Sequence, residues 1–255
     1  MSGTERIVVG HLYPSYLNIY ADRGNIAVLA VRAAWRGLEL DVRTIGPGDA
    51  TPVDVDLFYV GGGQDREQAL IAPDLASRGP ALVDAVGGGA AALAVCGGYQ
   101  LLGRFYRDRG GEELVGAGVL PLYTVAGERR MIGDVLLECE LEPGDVRTLA
   151  GFENHAGRTI LDSGAEPLGR VVSGFGNDGE SGYEGCRAGR AIGTYLHGPL
   201  LPRNPWLADW LLAQALGHRT GEVRVFEPLR DDLEAEAHMV SSARARTRGG
   251  RYGRV

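Results

Sequence analysis

The stretch LAVCGGYQLLG, residues 93–103, sets a cysteine at the corner where an apolar run ends and two glycines begin. Leu93, Ala94 and Val95 close a run of strand character, Gly97 and Gly98 permit a tight turn, and Tyr99 to Gly103 opens as a helix. Strand, sharp turn and helix with Cys96 at the bend is a geometry that lifts a nucleophile clear of a sheet and sets backbone N–H groups beside it. A helix N-terminus next to the sulfur also favours thiolate over thiol. The same residues equally describe a buried cysteine packed as a small hydrophobe.

Outward from this corner the rhythm is that of an α/β protein. RIVVG reads as a short apolar strand, GNIAVLAVRAAWRG carries apolar residues at helical spacing with Asp22 or Asn25 to cap it, LELDVRTI alternates as a strand does, and DVDLFYVGGG is a strand that stops at three glycines. DREQALIAPDLASRGPALVDAVGGG has helical character interrupted by proline and glycine. This βαββαβα order predicts a doubly wound, mostly parallel sheet, in which ligands bind beyond the carboxyl ends of the strands. Residues 115–195 read as richer in short strands, NPWLADWLLAQALGH as an amphipathic helix and DDLEAEAHMVSSARAR as a candidate for another. A chain of 255 residues, 44% of them apolar, suits one core. We expect a single domain over residues 1–240, followed by a disordered basic tail over 241–255.

Composition narrows the function classes. A net charge of −7 argues against general nucleic-acid binding. No run approaches the roughly 18 apolar residues of a membrane helix, and MSGTERIVVG lacks a signal-peptide pattern, so a cytoplasmic protein is expected. Cys96, Cys139 and Cys186 form neither CxxC nor Cys/His spacing, so free thiols are the expectation, with no metal site. All 26 basic residues are arginine. Without lysine there is no Schiff-base amine and no P-loop lysine, so any ATP would be handled by another chain.

A cysteine nucleophile needs a histidine within reach in the fold. His197, in GTYLHGP, stands at the end of an apolar strand before Gly198 and Pro199, on the rim that also holds Cys96. His11 follows the first strand, His155 lies in GFENHAGRT, which reads as a polar loop, and His218 and His238 sit at polar helical ends and are expected to be solvated. A histidine that merely caps the next loop is the competing reading of His197. The glycines 61–63 could cradle an anion, but no GKS or GKT follows them. An oxyanion hole from the N–H of Gly62 or Gly63 with that of Gly97 fits better.

CGGYQ at 96–100 together with TYLHG around His197 resembles the class I glutamine amidotransferase family, in its cobyric acid synthase-like branch, whose sheet is flavodoxin-like. YADRGN, GGGQDREQ, CGGYQLLG, GFENHAGRT and GTYLHGPLLPRNP, in that order over residues 16–205, resemble more closely the GatD-type glutaminase subunits of lipid II isoglutaminyl synthase. The resemblance implies hydrolysis of L-glutamine through a thioester on Cys96, with His197 as acid and base and the glycine turns as oxyanion hole. It implies that Arg130, in RMIGD, contributes to the glutamine site, with Arg129 as bystander; a guanidinium suits an α-carboxylate. Gln100 and Asn154 are further candidates, each open to a turn or capping role instead. Many class I members carry a glutamate two positions after the histidine, where this chain has Pro199. The resemblance therefore implies a heterodimer with a MurT-like ligase of the Mur family that supplies an aspartate in trans, binds ATP and Mg, holds lipid II, and amidates D-glutamate of the stem peptide to D-isoglutamine. An amidotransferase for another acceptor, such as a cobyrinic acid derivative, and a catalytically silent α/β binding module are the alternatives.

Overall fold

Residues 6–95 alternate strands and helices because their apolar runs are short, continuous and separated by turn residues. β1 (Arg6–Leu12) is followed by α1 (Arg23–Trp35), β2 (Glu39–Ile45), β3 (Leu57–Val60), α2 (Asp65–Gly87), β4 (Ala91–Val95) and α3 (Gly97–Leu102). The computed structural model describes residues 5–19, 23–248 and, as backbone, 251–253. Every residue of β3 and β4 is buried, as expected of strands covered on both faces. Two proline positions do not break α2: Pro73 and Pro80 lie inside one helix. Gly79 beside them is required by close packing, since a Cβ there would sit 2.6 Å from the Ala117 carbonyl oxygen.

The middle of the chain builds a second sheet. β5 (Phe105–Arg107), β6 (Glu113–Val115), β7 (Leu122–Glu140), β8 (Val146–Leu161), β9 (Gly169–Ser173) and β10 (Tyr183–Glu184) belong to it. The chain then returns to the first sheet with β11 (Cys186–Ala188) and β12 (Ala191–Thr194), and continues into α4 (Pro205–Thr220) and α5 (Asp232–Arg248). Where short strands were expected, β7 and β8 form one long antiparallel hairpin of 19 and 16 residues. GFENHAGRT, read as a polar loop, is the middle of β8, with Gly151, Glu153, His155, Gly157 and Thr159 buried on alternate positions. Its polar residues are tolerated there because they find partners inside.

The first sheet has the order β11-β12-β4-β3-β1-β2, parallel except for the antiparallel edge strand β11. The parallel part, taken in chain order, is the 2-1-3-4-5 arrangement of flavodoxin-like folds. From β1 the chain crosses to β2 on one side, and from β3 it crosses to β4 on the other. Right-handed crossovers therefore put α1 and α2 on opposite faces; α4 packs with α1, and α3 with α2. Among the described residues no helix is long and apolar enough to cross a membrane.

Two sequence expectations change here. Asn25 does not cap α1; it lies within the helix, fully buried, its amide donating to the Tyr59 hydroxyl at 2.9 Å and accepting from the Leu201 N–H at 2.8 Å. Asp22 lies outside the described residues. The tail expected to be disordered from residue 241 instead continues α5 through Arg248, which packs on β7, β8 and β9. Ala245 is buried with Leu136 and Ala150, and the Ser173 hydroxyl donates to its carbonyl at 2.6 Å. Beyond it, β13 (Arg251–Gly253) pairs with β7 at Arg130–Ile132.

Candidate active site

Cys96 leaves β4 with φ 51° and ψ −108°, a conformation that side chains other than glycine rarely adopt. Such a residue costs on the order of 1–3 kcal/mol and persists only where its surroundings enforce it. The enforcement is visible. The Cys96 N–H donates to Thr194 O at 2.8 Å, continuing the β4–β12 ladder past its end, while Cys96 O accepts the first helical bond from Gln100 at 3.1 Å. Gly98 donates to Gly61 O at 3.1 Å, and a Cβ on Gly98 would stand 2.6 Å from Val60 O and 2.7 Å from Gly61 O. The two glycine clusters are thus pressed together, and a Cβ on Gly97 would lie 2.9 Å from Gly63 N. The Gln68 side chain donates to Gly63 O at 3.1 Å and Ile19 to Gly62 O at 3.2 Å, pinning the GGG turn beside the elbow. The backbones of Gly63 and Gly97 are consequently gathered about one corner of the sheet.

His197 follows β12, the strand next to β4, so both residues stand at adjacent carboxyl ends. It is fully buried and exchanges backbone hydrogen bonds with Phe152 of β8, at 2.9 and 3.2 Å, which joins the two sheets at this point. Its approach is fixed by Glu184, whose carboxylate accepts from Tyr195 N at 2.6 Å and Thr194 Oγ1 at 2.9 Å; Thr194 Oγ1 in turn accepts from Leu196 N at 3.0 Å. Burial raises the Glu184 carboxyl to about 8 against these hydrogen bonds. Burial above all, then the nearby His155, Arg203 and Arg130, pull His197 down to about 3. In this chain the imidazole is a neutral, weakly basic group.

Arg130 and Asn154 come from the hairpin. The register of β7 against β8 shifts between Ala126 and Met131, so residues 127–130 bulge opposite a single residue of β8. Bulges re-aim side chains, often beside active sites. This one carries Arg130, which donates from Nε to Asn154 Oδ1 and from Nη2 to Asn154 O, both at 3.0 Å. Arg129 is exposed, its carbonyl accepting from Arg158 at 3.0 Å.

A cleft of about 650 Å³ opens over these elements, and Gly63, Asp65, Cys96, Gln100, Arg130, Asn154 and His155 are among its walls. The structure therefore brings Gly63, Cys96, Gln100, Arg130 and Asn154 to one cavity; Gly62, Gly97 and His197 are not among the residues that line it. Gln100 is neither a cap nor a turn residue; it is buried in α3 and donates to the Tyr195 hydroxyl at 3.2 Å.

His155 is the residue that reading the sequence as a loop undervalued. It lies flat on Tyr195 with ring centroids 3.4 Å apart, and its Nδ1 bonds Gly157 O at 2.9 Å. Its Nε2 faces Glu153 at 3.8 Å, whose carboxylate accepts from the backbone of Phe175 at 2.7 Å and Gly176 at 3.0 Å. Burial pulls His155 below its ordinary value. The alternation of β8 was the available signal.

The other histidines and cysteines have separate duties. His11 is buried beside Tyr59 and lowered to about 4, mainly by burial. His218 is not simply solvated but bonds the buried Asp56 at 3.0 Å, and His238 bonds Thr148 at 2.8 Å and Arg203 O at 2.9 Å. Burial pushes the thiols of Cys139 and Cys186 up to about 12, which leaves them inert.

Residues 8–205 match the CobB/CobQ-like glutamine amidotransferase domain, and the chain belongs to that family. It is 41% identical over 231 residues to the subunit GatD of lipid II isoglutaminyl synthase (glutamine-hydrolyzing) from Staphylococcus aureus strain N315, covering 90% of this chain and 91% of that protein. The same subunit from Streptococcus pneumoniae strain ATCC BAA-255 / R6 is 38% identical, covering 89% and 87%. A cobyric acid synthase from Synechococcus is 35% identical over 56% of this chain but only 28% of its own length. A crystal structure of a glutamine amidotransferase superposes with a TM-score of 0.52 at 17% identity, covering 81% of this chain and 98% of that one, and shares its fold.

Proposed function

We propose that this glutamine amidotransferase is the glutaminase subunit of a lipid II isoglutaminyl synthase. The observation that carries the reading is the strained Cys96 elbow sharing one cleft with Arg130, in a chain nearly colinear with the GatD subunits it resembles. In this reading Arg130, held by Asn154, takes the α-carboxylate of L-glutamine and the side-chain amide reaches the Cys96 sulfur. The thiol proton passes to His197 as sulfur attacks the amide carbon; the tetrahedral oxyanion rests against the N–H groups of Gly62 or Gly63 and Gly97. His197 returns the proton to the departing nitrogen, ammonia leaves, and water hydrolyses the thioester to glutamate.

The partner is a MurT-like ligase of the Mur family, forming a heterodimer in the cytoplasm. It binds ATP and Mg, holds lipid II and consumes the ammonia, amidating D-glutamate to D-isoglutamine. Pro199 supports the need for it, since it stands two positions after His197, where many class I members carry a glutamate. An aspartate contributed across an interface would orient the ring and stabilise its protonated form. The test is glutamate release from the purified chain titrated with the ligase. Rate enhancement that disappears when the ligase's contributing aspartate becomes asparagine, with binding retained, is the expected result; a full rate without partner overturns completion in trans. Amidation of lipid II, compared with a cobyrinic acid acceptor, decides the product.

A further inference from the structure

Free glutamine is a zwitterion, so a guanidinium on its α-carboxylate leaves an α-ammonium a few ångströms away with no counter-charge. Removing that cation from water without a partner would be unfavourable. The first residue of α2, Asp65, is a carboxylate in the wall of the same cleft as Cys96 and Arg130. Tyr106 links the two ends of the question. Its hydroxyl donates to Asp65 Oδ1 at 3.4 Å, a long bond that engages one of the roughly four acceptor positions of a carboxylate. Its phenol is raised first by burial and next by the charge of Asp65, while Arg130 acts in the opposite sense, so Tyr106 senses both charges. Asp65, Tyr106 and Arg130 all line the one cleft, so it offers an anion and a cation to the two charges of an amino-acid head group.

We propose that Asp65 binds the α-ammonium of glutamine and, paired with Arg130, selects for an α-amino acid over a simple amide. This rests on the glutaminase reading above and adds a specificity determinant to it. Position explains the residue's availability. The GGG turn is pinned by Gln68 to Gly63 O, and α2 begins immediately after it, so Asp65 is delivered to the rim by the turn that lies against the elbow. An acidic residue in a first helical turn also favours the helix, and the experiment separates that role from recognition.

The chain, saturated with its ligase partner, is assayed with L-glutamine and with 4-carbamoylbutanoate, which keeps the carboxylate and the amide but lacks the α-ammonium. Asp65→Asn should lower kcat/KM for glutamine roughly 10–100-fold, the loss of one charge-assisted hydrogen bond, chiefly through KM, and leave 4-carbamoylbutanoate almost unaffected. Equal loss on both substrates, or no loss on glutamine, overturns the assignment. A second readout needs no turnover: mass spectrometry of Cys96 after 6-diazo-5-oxo-L-norleucine, an electrophile shaped like glutamine, against iodoacetamide. Slower labelling of Asp65→Asn by the first reagent and an unchanged rate with the second is expected; equal rates with both overturn the role of Asp65. If the wild-type chain itself resists the glutamine-shaped reagent while accepting iodoacetamide, the glutaminase reading fails rather than this assignment alone.

Discussion

The cleft is built from two unlike regions. On one side, the carboxyl ends of β4 and β12 present Cys96 and His197 from a parallel sheet whose strands are buried on both faces. On the other, the β7–β8 hairpin presents Arg130 from a bulge and Asn154 from a half-buried strand. The first region is over-determined: ladder bonds, glycine contacts and a buried carboxylate fix backbone angles that a free chain would abandon. The second is held by side chains that support one another, Arg130 on Asn154 and His155 on Tyr195. Cys96 and His197 sit where the backbone cannot yield, and Arg130 and Asn154 sit where side-chain contacts set the aim.

That contrast orders the expected effects. Cys96→Ala should abolish glutamate release, a loss on the order of 10⁴-fold or more as for other nucleophiles, while circular dichroism and Tm show an intact fold, since alanine keeps the Cβ and with it the elbow's strain. Wild-type turnover in the folded variant would break the division between the regions. Cys139→Ala and Cys186→Ala should keep activity.

His197→Ala should lower kcat by roughly 10²-fold or more, the usual worth of a positioned proton carrier. His155→Ala should cost less, since its ring is occupied by stacking and by Gly157. A reversed ranking in steady-state kinetics would move proton transfer to the hairpin and erase the distinction.

Arg130→Lys should raise KM for glutamine about tenfold with a smaller change in kcat, because an ammonium cannot hold Asn154 and a carboxylate as a planar fork does. Asn154→Ala should produce a weaker effect of the same kind, and Arg129→Lys none. Isothermal titration with glutamine on the Cys96→Ala background measures these losses without turnover.

The smallest effect concerns acid stability. His11 and His197 have folded-state values of about 4 and 3, below the ordinary 6.5, so the unfolded chain binds more protons between those values. Their neutral burial contributes fully above about 6.5 and is lost as pH falls through this window. Tm should decline below pH 6, and His197→Asn should flatten the decline. A partner carboxylate that raises His197 in the complex would flatten it too.

The elbow was readable from LAVCGGYQLLG because everything it needs is local: an apolar run, a cysteine and glycines that tolerate close backbone approach. The parallel sheet followed from alternating apolar segments. The hairpin was not readable to the same degree. Glu153 and His155 look like loop residues until Phe175, Gly176 and Tyr195, distant in sequence, neutralise their polarity inside the fold. The end of α5 was legible only in part: DDLEAEAHMVSSARAR reads as a candidate helix, while the basic composition from residue 241 suggested a disordered tail. The helix runs on through Arg248 and contacts β7, β8 and β9.

By itself, then, the order of residues determined the class of fold, the corner that holds Cys96 and the strand end that holds His197, since each depends on periodicity and on glycine within a few positions. Only the tertiary structure decided that Arg130 leans on Asn154 from a bulge, that Asn25 ties α1 to Leu201, and that Asp65 shares a cleft with Arg130. Those relations join residues of separate elements, and their energies exist only once sheet, hairpin and helix have excluded water from between them.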